Sequence, residues 1–116
     1  MIAEIQEDTV LQAKTIHIQG FFSHEDFKNW MTNTLPHHHL WIIRTEKAKF
    51  ISISDLEWLC KDASPYPQKI AVVLPKEFFP KNKIEHLNTE ANANVRFFGH
   101  LLEARAWLFG YVKPNH

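Results

Sequence analysis

The sequence predicts an α/β domain with a mostly parallel central sheet, an N-terminal antiparallel hairpin and about four helices. Three observations predict it. Segments rich in β-forming residues alternate along the chain with segments of helical period. The first two strand-like segments follow one another with no helix between them, as a hairpin requires. Each later strand is followed by a helix, which is the connection that parallel pairing needs. The 116 residues are the size of one domain, so 1–116 is read as a single unit with a 45% hydrophobic content sufficient for one core.

Each element has its own local reason. "MIAEIQ" alternates weakly, with Ile2 and Ile5 as anchors, and pairs with "TVLQAKTIHIQGFF", in which Ile16 and Ile18 alternate with His17 and Gln19. The turn between them is expected near Glu7 and Asp8, and Gly20 is expected to end the second strand. "SHEDFKNWMTN" reads as a helix capped by Ser23, with Phe27, Trp30 and Met31 on one stripe. Pro36 ends it. "HLWIIRT" is nearly continuous in apolar residues, the mark of a strand covered on both faces. "SDLEWLCKDAS" is a short helix with Leu56, Leu59 and Cys60 inward. "QKIAVVLP" is a strand stopped by Pro75, "PKNKIEHLNTEANA" a helix built on Ile84, Leu87 and Ala91, "NVRFF" a last strand and "GHLLEARAWLFGY" a last helix.

Charge and cysteine usage narrow the function classes. Thirteen basic and thirteen acidic residues cancel, which removes the clustered positive charge expected of a nucleic-acid binder. Eight histidines make the chain cationic only below about pH 6.5. Cys60 is the single cysteine, so neither an internal disulfide nor a Cys-rich metal site is expected. The acidic start "MIAEIQEDTV" is unlike a secretory signal, and no apolar run approaches a membrane span. These features read as a cytoplasmic protein. Neither a phosphate-cradling Gly-rich motif nor a paired catalytic set is visible, so no enzyme activity and no cofactor are expected.

Two local signatures carry a family resemblance. "IQGFFSHEDF" is a strand ending in Gly followed by a helix with an acidic, aromatic start. "VRFFGHLLEARAWL" is an aromatic strand running into a helix with an Ala, Trp and Leu pattern. In this order and spacing, over nearly the whole chain, they resemble the STAS superfamily and especially its SpoIIAA-like branch of small bacterial proteins. In anti-sigma-factor antagonists of that superfamily the central loop resembles Phe-Met-Asp-Ser-Ser-Gly-Leu, with the second Ser phosphorylated. Laid on "FISISDL", Phe50 matches the aromatic residue, Ser54 the modified serine and Leu56 the leucine. Ser52 stands where Asp is expected, Ile53 replaces the first Ser and Asp55 replaces the Gly. The resemblance implies a non-enzymatic regulatory or protein-interaction module. Its partner, an anti-sigma-factor-like kinase on this resemblance, would be met by Ser54, Asp55, Ser52 and Trp58; self-association is the other option.

Ser54 also has a plainer reading. "SDLE" places Glu57 three residues on, a complete capping box worth roughly 1 kcal/mol without any function. A phosphate at a helix start is stabilised by free N–H groups, yet Asp55 adds a like charge beside it. The alternative is that Asp55 keeps the loop permanently anionic, imitating a modified state.

Other candidates are weighed the same way. In "PHHHL" only His37 and His39 point to a common face, and no further ligand is identified, so no metal is expected. Cys60 lies on an apolar stripe and reads as core. His17 is expected at the surface or a sheet edge, and His100 in the turn before the last helix. Trp58 lies off the centre of its helix's buried stripe. With Phe78 and Phe79, which follow a strand's C-terminal end, it either lines a groove or interface or is a partly covered packing residue. This gives a second function reading, the binding of an apolar or lipid-like small molecule in a pocket near the strand C-terminal ends.

Overall fold

The computed structural model describes residues 1–63, 65–75, 77, 79–91 and 93–112. Phe78, one of the expected groove residues, lies outside the described residues. Five strands form one sheet in the order β1 (Ile2–Asp8), β2 (Ala13–Phe21), β3 (Leu40–Lys49), β4 (Lys69–Val73) and β5 (Val95–Phe98). β1 and β2 are antiparallel, and every later pair is parallel. Among the described residues four α-helices connect or follow them, α1 (His24–Asn33), α2 (Ile53–Ala63), α3 (Lys81–Glu90) and α4 (Leu101–Phe109), with a short 3-10 turn at Leu35–His37 after α1.

The strand order never reverses. Because parallel crossovers are right-handed, successive crossovers that always step the same way place their helices on the same face of the sheet. Phe27 and Met31 of α1, Leu56 and Leu59 of α2, and Ile84 and Leu87 of α3 accordingly share one core with Ile16, Ile18, Trp41, Ile43 and Val72. α4 has no further strand to lead to, and it packs on the opposite face. There Ala104 and Leu108 meet Leu11, Ala13, Leu40, Ile42 and Val73 in a smaller core. β3 and β4 are covered on both faces, which explains their near-continuous apolar sequence.

The opening hairpin differs from expectation. β1 runs through Asp8 and the chain turns over Thr9–Gln12, so "TVLQ" is turn and not strand. Leu11 is buried beneath α4, and that burial fixes the turn later than the polar residues alone suggest. Asp8 Oδ1 accepts from the Leu11 N–H at 3.1 Å. Gln12 takes φ +54°, and its carbonyl accepts from His38 Nε2 at 2.8 Å. His38 also stacks on His39 with ring centroids 5.0 Å apart, so the "HHH" run fastens the hairpin to the start of β3. Among the described residues no three His, Cys, Asp or Glu side chains group to hold a metal ion. Among them, too, no helix is long and apolar enough to cross a membrane.

Candidate functional site

The β3–α2 junction stands at the C-terminal end of the sheet. β3 pairs with β4 only as far as Arg44–Val73, whereas β2 and β3 stay paired to Phe21–Lys49. Where β4 stops, the buried Thr45 hydroxyl donates to the Val73 carbonyl at 2.8 Å and closes that ladder. β2 and β3 therefore run on past β4, with β1 beside β2 as far as Gln19, and only Gly20–Phe21 and Ala48–Lys49 form a two-stranded tongue, where the Phe22 N–H donates to the Lys49 carbonyl at 2.8 Å.

Two residues with left-handed backbone shape the end of this tongue. Gly20 has φ +75°, and a Cβ there would meet nothing within 4 Å. Backbone freedom and not space is why glycine suits the position, and β2 continues one residue beyond it to Phe21. Phe50 has φ +60°, a conformation that costs a non-glycine residue roughly 1–2 kcal/mol. Such strain persists only where the surroundings impose it, and it concentrates at functional sites. Phe50 is 81% exposed and lies nearly flat on Phe21, itself 64% exposed, with centroids 5.3 Å apart and planes 7° from parallel. Ala48, Lys49, Phe50, Ile51 and Pro75 line a shallow, mainly apolar hollow of about 360 Å³ beside the pair.

The helix start corrects the capping expectation. α2 begins at Ile53, so Ser52 and not Ser54 is the N-cap. Ser52 Oγ accepts from the Asp55 N–H at 3.2 Å, and Asp55 Oδ2 accepts from the Ser52 N–H at 2.8 Å and from its hydroxyl at 2.9 Å. This is a reciprocal box with Asp55 in the role assigned to Glu57. Asp55 Oδ1 lies 3.5 Å from His24 Nδ1 on α1. Both carboxylate oxygens are thus engaged within the chain, which weighs against a free anionic imitation of a modified state. Ser54 is exposed at the second helical position, and its hydroxyl makes no hydrogen bond among the described residues.

Trp58 lies between the two helices α1 and α2. Its ring packs on His24 at 4.0 Å and meets Phe27 edge-on at 6.1 Å, so it joins α1 to α2 as a half-buried packing residue. Phe79 lines a separate groove of about 550 Å³ bounded by α3, β5 and the start of α4, with Ile84, Phe97, Phe98, His100 and Glu103. That groove opens where the chain passes from the three-helix face to the α4 face, at the last strand. His100 occupies the N-cap position of α4 but makes no side-chain cap bond.

Cys60 is buried, and burial followed by the nearby Glu57 carboxylate raises its pKa to about 11. It is a thiol and not a thiolate at neutral pH, as suits a core residue. His17 sits on β2 between two strands, not at an edge. Its pKa is lowered, first by burial and then by the Arg44 guanidinium.

No family model and no curated protein matches the sequence. Among solved structures, the chain is similar to an uncharacterized protein from the DUF3478 family with a SpoIIAA-like fold, from Shewanella loihica PV-4. The TM-score is 0.57 at 18% identity, over 92% of each chain. The fold is SpoIIAA-like. At that identity the likeness extends to architecture: a five-stranded mixed sheet with β1 antiparallel and four helices, as the order of segments predicts. Within this SpoIIAA-like frame the expected loop residues Ser52, Ser54 and Asp55 lie at the β3–α2 junction, next to the Phe21–Phe50 pair. Phe50 stands in the sequence as the aromatic residue of "FISISDL" and Phe21 as part of "GFF", and the left-handed residues Gly20 and Phe50 lie where the two rings stack.

Proposed function

We propose that the protein is a non-enzymatic interaction module that docks a protein partner on the Phe21–Phe50 tongue. The carrying observation is that Phe50 is held in a strained conformation that leaves its ring stacked on Phe21 and facing solvent. A core has no use for that ring, and strain spent on exposing an apolar surface is repaid when a partner covers it. The matching partner surface is an apolar projection that enters the hollow beside Phe50 and Pro75 while polar groups meet the exposed Ser52 and Ser54 hydroxyls. An anti-sigma-factor-like kinase, the partner implied by the family resemblance, would approach this same end. The reading does not require phosphorylation of Ser54.

The test is quantitative capture from a lysate of the source organism with wild type, Phe21→Ser/Phe50→Ser and Glu4→Lys as baits. One protein held stoichiometrically by wild type and Glu4→Lys and lost at least tenfold from the double variant is the expected result. An identical captured set for all three baits overturns it.

The groove lined by Phe79 favours a second reading, an apolar small molecule held between α3 and α4. Its volume falls in the range of small-molecule sites. Ile84→Trp fills it; displacement of a bound fluorescent apolar probe by that substitution supports the reading, and unchanged probe binding removes it.

A further inference from the structure

The two edges of the sheet are finished differently, and β1 is the open one. β5 at the far edge is occupied: Asn88 of α3 donates from Nδ2 to the Phe97 carbonyl at 2.8 Å and accepts from the Phe97 N–H at 2.6 Å. A side-chain amide there takes the place of a neighbouring strand. β1 is seven residues long, lies along β2 in unbroken register, and carries neither Pro, Lys nor a bulge to blunt its outer edge. Its residues are exposed from Ile2 to Glu7 on both faces, including Ile2 at 66% and Ile5 at 43%.

We infer that this edge pairs with β1 of a second copy of the chain, antiparallel about a two-fold axis through Ile5, joining two sheets into one. The choice of occupant follows from charge and symmetry. A two-fold axis normal to the sheet keeps α4 on the same side in both copies, so residues can be opposed only in registers that preserve the pleat. Shifting the centre to Glu4 opposes Glu4 to its own copy. Shifting it to Gln6 opposes Glu4 to Asp8. Centred on Ile5, the strand opposes Glu4 to Gln6, Ala3 to Glu7 and Ile2 to Asp8, with no like charges face to face and all seven residues paired. Two of the acids are also answered within each chain: Glu7 lies opposite Lys14, and Asp8 lies 3.2 Å from Arg105. Ile5 meets its copy at the axis and loses its exposure. β2 of the two copies then runs in opposite directions, so the two Phe21–Phe50 tongues stand at opposite ends of the joined sheet, both uncovered. This inference concerns a different surface from the tongue and stands or falls without it.

The experiment is sedimentation equilibrium of the full chain over a wide concentration range, with circular dichroism confirming the fold of each variant. Wild type is expected to dimerise. Gln6→Glu, at an exposed position, places two Glu–Glu pairs across the axis and is expected to weaken the dimer roughly tenfold. The double variant Glu4→Lys, Gln6→Glu sets opposite charges at the same places and is expected to recover or exceed wild-type affinity. A wild-type chain that stays monomeric at every concentration overturns the inference. So does a dimer indifferent to Gln6→Glu, because its contact then lies elsewhere.

Discussion

β1 and β5 face the same problem, a row of backbone groups at a sheet edge, and solve it in opposite ways. β5 has only four residues, and its outward-directed amide and carbonyl at Phe97 are taken by the Asn88 carboxamide, which offers both a donor and an acceptor. β1 is nearly twice as long and is guarded by charge alone. A short edge under a helix can be closed by one side chain already in reach. A hairpin edge outside the helix layer has no neighbour to lend one, and it stays available for pairing.

Removing the amide is the largest way to break the contrast. Asn88→Ala leaves the Phe97 N–H and carbonyl without partners in a partly buried setting, at an expected cost of about 2 kcal/mol. Urea unfolding measures it. The same variant is expected to raise hydrogen exchange at Phe97 to the level of the β1 amides, so that the two edges become alike. No change at Phe97 would show that the amide does not seal the strand.

A smaller effect sharpens the open side. Gln12 closes the β1–β2 hairpin at φ +54°, and its contact with His38 runs through the backbone carbonyl, which any residue supplies. Gln12→Gly removes the left-handed strain and gives back part of the gain as unfolded-chain entropy, so about 0.5 kcal/mol of added stability is expected. Thermal unfolding measures it. A loss of stability would mean that the Gln12 side chain holds the turn.

These positions also mark what the sequence could and could not display. The order of elements was legible because apolar spacing changes cleanly between the period of a strand and that of a helix, as in "LWIIRT" followed by "LEWLCKDA". The start of α2 was ambiguous because both serines have an acid three residues on, Asp55 after Ser52 and Glu57 after Ser54. Only the left-handed turn at Phe50 brings the chain into helix early enough to select Ser52. Trp58 drew notice because it lies off its own helix's stripe, yet His24 and Phe27 cover it from another helix, which no local pattern can report. Asn88 was invisible for the same reason: an asparagine on an exposed-looking helical turn gives no sign of the strand beside it. The candidate tongue was half legible. "FISISDL" pointed to the junction, while the exposure of Phe50 and Phe21 depends on backbone angles at two residues.

The smallest expected effect is a pH response confined to the open side. His17 faces Glu4 of β1 across the ladder and pairs with Arg44 of β3 on its other side, with Glu46 and Lys47 also near enough to act on it. Burial and then the Arg44 charge lower its pKa below the ordinary 6.5, and the carboxylates of Glu46 and Glu4 offset only part of that. The folded chain therefore binds fewer protons at this site than the unfolded chain. Its contribution to stability is complete above pH 6.5 and declines as the pH falls from there toward the folded-state value. Because His17 belongs to β2 next to β1, acidification from pH 7.5 to 5.5 is expected to speed exchange of the β1 and β2 amides more than that of β5. His17→Gln, which cannot titrate, is expected to flatten that difference. If the variant and the wild type lose protection equally, the sensitivity of the open edge comes from its carboxylates and not from the histidine between them.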